Sequence, residues 1–313
     1  MRYKYVLAAV VLLMLAVLPH FVDVFYQELL SEVLIFGLLA LSFDIIFGYT
    51  GLLNFGMAIF FGLGGYITLF SIQGLGLGIW LALGMTLAVA VVFSFLYGLI
   101  CTRFKTHYFV AITLVFSMVF YYVAMSLRPI TGADEGLTLM VPDLNVVVAQ
   151  LNLFDSLNKY YFVLFVTVVV FFFIWRFFNA PMGKAIIAVR ENEERALMNG
   201  YNAYLLKLAG FTLSGSVACL AGALYVIHLG FISANSFYWL WTARSVWWTI
   251  IGGTGTLIGP FLGPGILVFF EDFLSSWNQN FYLIIMGVLM IAMIILAPGG
   301  IVGLLRRLKD VLR

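Results

Sequence analysis

The chain has 313 residues, 64% of them hydrophobic and 10% charged, with a formal net charge of +2. A soluble globule of this length cannot hide so much apolar surface and carries about a quarter of its residues charged, so a soluble enzyme or binding domain is excluded and a polytopic membrane protein is predicted. The small net charge says little about partners, because in such a chain only the distribution of Lys and Arg between loops carries information, and no nucleic-acid partner is expected. The two cysteines, Cys101 and Cys219, sit singly among apolar residues, which predicts packed thiols rather than a disulfide or a metal site.

Runs able to cross a hydrocarbon core of about 30 Å as helices of roughly 20 residues are read at residues 5–22, 29–47, 56–72, 79–101, 108–127, 160–178 and 208–229. A glycine-interrupted stretch at 245–270 and a last run at 281–297 complete the set. Helices are expected because a lipid-facing backbone must satisfy its own hydrogen bonds and no alternating barrel pattern occurs. Residues 1–19 have the basic start and apolar stretch of a signal peptide, but no small-x-small cleavage site follows, so a retained first helix is predicted.

If the runs alternate, one side collects Arg2, Lys4, Arg103, Lys105, Arg176, Lys184, Arg190, Arg195, Lys207, Arg306, Arg307, Lys309 and Arg313. The positive-inside rule makes that side the cytoplasm, with both termini there. Asp23 with Glu28, and a loop at about 128–159, fall outside. The count closes if 245–270 crosses, breaks at GGTGTLIGP and returns. The prediction is one all-α domain over 1–313, a helical bundle of about ten transmembrane segments with glycine-broken helices.

The first break is GYTGLLNFGMAIFFGLGGY, with Gly48, Gly51, Gly56, Gly62, Gly64 and Gly65. Two readings stand level: glycines that let helices pack closely, or unwound backbone lining a cavity, which Thr50 and Asn54 inside the break favour. Asp44, one turn earlier, is expected to face the bundle and accept from backbone donors freed by the break, ahead of a role as a polar wall of a pathway. The second break, GGTGTLIGPFLGPG, contains Gly252, Gly253, Thr254 and Gly255 and repeats the order Gly, any residue, Thr, Gly, any residue, Leu of Gly48 to Leu53. Paired interruptions of this kind point to a transport pathway. Both breaks are approached from the outer side, as in a parallel repeat.

Arg244, Glu271 and Asp272 are read as interfacial charges. His20, His107 and His228 have no ligand spacing, and no metal or cofactor is expected.

Between about 179 and 207 lies the charged passage, with Arg190, Glu191, Glu193, Glu194 and Arg195 clustered within two turns. A short amphipathic helix is predicted, stopped at Gly200, with Asn202 capping the helix that re-enters the membrane. By itself such a cluster reads as a solvated connector. The chain lacks a P-loop, since Gly183-Lys184 is followed by Ala185 and has no upstream glycine at the required spacing.

PMGKAIIAVRENEERALMNGYNAYLLKLAGFTLSGSVACLAGALY resembles the cytoplasmic loop and following helix of the permease subunits of branched-chain amino acid ABC importers, the LivM-like group. The blocks LSFDIIFGYTGLLNFGMAIFFGLGGY, TGADEG, IIGGTGTLIGPFLGPGILVFFEDFLS and APGGIVGLL are similar to others of that family, in the same order from about 34 to 305. The resemblance implies that Gly183, Arg190, Glu191, Glu193 and Gly200 belong to a coupling helix docking on a separate ATPase. It also implies that the breaks lie along the substrate path, making Asp44, Thr50, Gly51, Asn54, Gly56, Gly252, Gly253, Thr254 and Gly255 pathway candidates. The implied assembly is two permeases, two cytoplasmic ATPases and a periplasmic binding protein in the lipid of a bacterial inner membrane. Leucine, isoleucine and valine are the implied cargo, with urea or short amides as the alternative. The chain departs from the family pattern at Met57, where many relatives have His, at Ala133 in place of a second glycine, and at Ala243-Arg244-Ser245. A secondary transporter or channel would need no ATPase, and a membrane-embedded enzyme would need a catalytic set that the scattered histidines do not supply.

Overall fold

The computed structural model describes residues 12–104, 106–140, 144–146, 149–151, 153, 155–277, 282–296 and 299–304. Arg2, Lys4, Lys105, Arg306, Arg307, Lys309 and Arg313 lie outside the described residues, as do residues 5–11 of the first expected run. The principal helices are α1 (Val24–Asp44), α2 (Met57–Leu69), α3 (Ile79–Cys101), α4 (Thr106–Ser126), α5 (Ser156–Asn179), α6 (Pro181–Glu191), α7 (Glu193–Met198), α8 (Ala203–Leu229), α9 (Leu240–Gly252), α10 (Gly259–Trp277) and α11 (Tyr282–Leu296).

Among the described residues, six helices are long and apolar enough to cross a membrane: Val24–Tyr49, Met57–Gly74, Ile79–Cys101, His107–Ser126, Ser156–Asn179 and Ala203–Leu229. The 245–270 run is a helical hairpin, α9 followed by α10, turned at residues 253–258. With 13 residues, α9 covers only about 20 Å of a core of about 30 Å. Of the about ten expected segments, six are long and apolar enough to span among the described residues, with α9, α10 and α11 beside them.

The apolar windows of α1, α2 and α8 are 78%, 72% and 83% buried and form the inner layer, whereas α3, α4 and α5 are 33%, 22% and 33% buried and ring it. Lipid supplies no hydrophobic drive for helices to associate, so close backbone packing by small residues must do so. Gly64 lies against the carbonyl of Cys219, and Gly222 against that of Phe61, so α2 and α8 cross with their backbones in contact. For Gly64 the packing reading is the right one, while Gly62 and Gly65 make room for the Phe237 ring and the Ile232 side chain.

Two ends of the bundle are distinct. At one, the Glu28 carboxylate accepts from Lys159 at 2.9 Å and from Ser156, and His228 Nδ1 lies 3.4 Å away. At the other, Tyr49 stacks on Phe178 with ring centroids 4.1 Å apart, and α6 and α7 follow. The TGADEG segment belongs to the first end, where β1 (Leu137–Thr138) pairs antiparallel with a strand at Phe231–Ile232. Tyr66 anchors it by donating to the Thr131 carbonyl at 2.8 Å.

In that segment Gly132 has φ +72° and Ala133 has φ +49°, the one non-glycine residue with positive φ among those described. A left-handed alanine costs about 1–2 kcal/mol that glycine avoids, against which glycine gains more entropy when unfolded. Ala133→Gly is expected to stabilise the protein by about 0.5–1 kcal/mol, read as a higher thermal midpoint in detergent.

Candidate functional site: two glycine turns above the charged loop

The first break begins where α1 widens into a π-turn at Ile45–Tyr49. Thr50 N–H reaches back to the Ile45 carbonyl at 3.1 Å, its hydroxyl donates to the same oxygen at 2.9 Å, and Leu52 N–H donates to Ile46 at 2.9 Å. Such π-turns are frequent at functional sites because they leave the local helix ladder incomplete. Gly51, with φ +80°, then reverses the chain.

The freed backbone donors are met by three side chains. Asn54 Oδ1 accepts from Gly56 N–H at 2.7 Å, Thr113 Oγ1 from Phe55 N–H at 3.1 Å, and Thr242 Oγ1 from Ala58 N–H at 2.9 Å. Thr50 and Asn54 are 3% and 1% exposed, so in this conformation both support the break and neither lines open space. Gly56 packs under the Thr113 carbonyl and the Tyr97 hydroxyl, where a Cβ would stand 3.1 and 3.4 Å from them. Met57, in place of the family's histidine, is fully buried, and its sulfur accepts from Asn54 Nδ2 at 3.3 Å. Thr113 and Thr242 carried no sequence signal, because a lone threonine in an apolar helix looks the same whether or not it serves a distant amide.

The second break is the hairpin turn between α9 and α10. Gly253 (φ +119°) and Gly255 (φ +70°) make the reversal, and Gly252 packs against the Gly259 carbonyl. Thr254 is exposed on the turn. Gly300, from the APGG block, sits so close that a Cβ there would lie 2.6 Å from Gly253 N and 2.7 Å from the Ile250 carbonyl. Gly299 and Gly300 thus pack directly on the late glycine block.

The two breaks meet. Asp44, fully buried, accepts from Gly255 N–H through Oδ1 at 2.7 Å, so the end of α1 is tied to the α9–α10 turn. The N–H of Thr256 faces the same carboxyl group, but Oδ2 completes no hydrogen bond. Gly48 lies at this junction, where a Cβ would stand 2.6 Å from Gly255 N. Asp44 faces the bundle as expected, but the backbone donor it accepts from belongs to the second break, 211 residues away in sequence, and not to the adjacent one.

Directly beside the junction is the charged passage. The single amphipathic helix expected there is two, α6 and α7, divided at Asn192, whose extended backbone (φ −158°) caps α7 by accepting from Arg195 N–H at 2.9 Å. Asn192 followed by Glu193 and Glu194 is the ordinary signature of a helix start, with acids facing the positive end of the dipole. Gly200 has φ +84°, its N–H donates to the Leu197 carbonyl at 3.0 Å, and Asn202 caps α8 by accepting from Leu205 N–H at 3.1 Å, as expected.

The candidate coupling residues separate. Gly183 is buried against the backbone of Phe177 and Phe178, while Glu191 is exposed and Glu193 pairs with Lys207 at 2.7 Å. Arg190 leans on both breaks: its Cγ would be 2.9 Å from a Cβ on Gly51, and its Nη1 3.6 Å from one on Gly255. Leu197 and Met198 are 53% and 86% exposed on α7. Beside them a cleft of about 500 Å³ is lined by Glu193, Leu197, Gly200, Tyr201 and Tyr204 among others. At the far end, Arg244 pairs with Glu271 at 3.2 Å. Among the described residues no three of His, Cys, Asp and Glu gather as metal ligands.

Residues 25–294 match the sequence model of the family described as branched-chain amino acid transport system / permease component. The chain is 26% identical to the high-affinity branched-chain amino acid transport system permease protein LivM of Escherichia coli, over 97% of this chain and 76% of that protein. It is 25% identical to the probable branched-chain amino acid transport permease protein LivM of Methanocaldococcus jannaschii, over 88% of this chain and 93% of that protein. A shorter match, 28% identical over 37% of this chain and 36% of the other, is to the autoinducer 2 import system permease protein LsrC of Yersinia pseudotuberculosis. No solved structure matches. With its family model covering residues 25–294 and its helices of membrane-spanning length, the chain belongs to the permease components of branched-chain amino acid transport systems.

Proposed function

We propose that this chain is the membrane permease subunit of an ABC importer that carries leucine, isoleucine and valine across the bacterial inner membrane, powered by separate cytoplasmic ATPases. The observation that carries the reading is the placement of the charged helix α6, through Arg190, directly against the junction of both glycine breaks. The similarity to LivM proteins of two organisms favours branched-chain amino acids as cargo. About ten transmembrane segments in one domain, both termini in the cytoplasm, a second permease and a periplasmic binding protein complete the proposed assembly.

A bound ATPase can drive the cycle only by holding one permease conformation more tightly than the other. The surface that would transmit this preference is α7 with its flanks: Leu197 and Met198 as apolar anchors, and Glu191, Glu193 and Gly200 around them. Burying an apolar anchor in a partner's groove contributes about 2 kcal/mol or more, so Met198→Asp is expected to weaken ATPase co-purification by at least about tenfold. Membrane insertion should be unchanged, because the side chain is exposed.

The decisive experiment is uptake of radiolabelled leucine by the complex in proteoliposomes containing ATP, with urea, a short amide and autoinducer 2 as competitors. ATP-dependent leucine uptake that excess valine suppresses is the expected result. Accumulation driven by an ion gradient without ATPases would replace the reading with a secondary transporter.

A further inference from the structure

We infer that Arg190 and Asp44 form a charge latch, open in this structure, whose closure transmits movement of the charged loop to both glycine turns. The inference rests on the ATPase-driven reading above and assigns Arg190 an inward role rather than a docking one. Asp44 is fully buried, holds the second turn through Oδ1, and leaves Oδ2 without a hydrogen bond. A buried carboxylate with an unused oxygen is unfavourable unless a cation or further donors reach it. The cation beside this junction is Arg190, whose Nη1 would lie 3.6 Å from a Cβ on Gly255, the residue whose N–H Asp44 holds. Its side chain makes no ion pair or hydrogen bond among the described residues, whereas the neighbouring Glu193 is already held by Lys207.

The glycines explain how the approach is possible. Gly51 and Gly255 present no side chain to the arginine, so its stem and guanidinium lie against the two turns. A guanidinium can give two parallel hydrogen bonds to a carboxylate, a geometry that lysine does not reproduce. When α6 moves with a docked ATPase, a short advance of Arg190 would exchange water for Asp44 and clamp the end of α1 to the α9–α10 turn. When α6 withdraws, the pair opens and the turns are free to separate. Arg190 and Asp44 are thus positioning residues acting on the pathway through the backbone.

The test uses the complete complex in proteoliposomes, with its ATPases and binding protein. Arg190→Gln and Asp44→Asn should each lower uptake by about tenfold or more while the ATPases still co-purify and hydrolyse ATP, so that ATP spent per solute moved rises. Asp44→Asn keeps the acceptor for Gly255, and Arg190 is exposed, so both variants retain the contacts that hold the fold. The double variant should be no worse than the worse single one, and Arg190→Lys should recover part of the uptake. Wild-type uptake by Arg190→Gln, or losses that multiply in the double variant, would overturn the latch. Loss of the ATPases from the Arg190→Gln complex would overturn it too, by making Arg190 a docking residue. Absence of ATP-dependent uptake by the unmodified complex would instead remove the importer reading itself.

Discussion

Gly64→Leu is expected to abolish accumulation of folded protein in the membrane. Gly64 faces the backbone of Cys219 at the crossing of α2 and α8, so an added side chain meets a carbonyl and α-carbon that cannot swing aside. The partner position Gly222 faces the backbone of Phe61 in the same way, and the two helices would have to part along their whole contact. Overpacking against movable side chains costs about 1–3 kcal/mol, and against backbone the cost is expected at or above the top of that range. That is a large fraction of a total stability of about 5–15 kcal/mol. Gly84 provides the control, because a Cβ there meets nothing within 4 Å. Gly84→Ala should extract from the membrane as a single symmetrical peak in size-exclusion chromatography, whereas Gly64→Leu should aggregate or be degraded. A well-folded Gly64→Leu protein would show that α2 and α8 are not in backbone contact.

Gly48→Ala is expected to leave the protein inserted but to reduce uptake by about ten- to a hundredfold. The new methyl would stand 2.6 Å from Gly255 N and against the Asp44 carboxyl group, in the middle of the hydrogen bond that joins the two breaks. Losing that bond leaves a buried charged acceptor without its donor, at a cost of about 1.5–3 kcal/mol, which corresponds to this loss if the joined turns belong to the conformation the cycle must visit. The α2–α8 crossing lies elsewhere and should hold the bundle together. Gly265→Ala is the matched control, since a Cβ there meets only Val33 Cγ1 at 3.7 Å, an ordinary contact. Equal uptake by the two variants would mean that the junction of the breaks has no part in transport.

Much of the local architecture follows from short-range chemistry. Gly200 as a helix stop and Asn202 as a cap were legible because a positive φ and an N-terminal acceptor are needs of one turn of chain. The division of the charged helix at Asn192 was legible in principle from the same rule, since Asn192 precedes two acids, but the partly regular apolar spacing of Ile186, Ile187, Val189, Ala196 and Leu197 suggested one continuous helix. Ala133 shows the opposite limit. A departure from the family's glycine is visible in the residues, and its strain is visible only once the backbone dihedral is known.

By itself the sequence determined that this is a helical membrane protein, where its long spans lie, which passage is charged and where its helices are interrupted. Those properties depend on hydropathy, capping and glycine content within windows of one segment. Only the tertiary structure decided that the interruptions at Gly48 and Gly255 touch, that Asp44 bridges them, and that Arg190 rather than Gly183 reaches the junction. It also decided that Thr113 and Thr242 serve the amides of the first break. The reason is physical: a broken helix leaves backbone donors that must be satisfied in a medium without water, and the side chains that satisfy them come from whichever distant helix packing brings alongside.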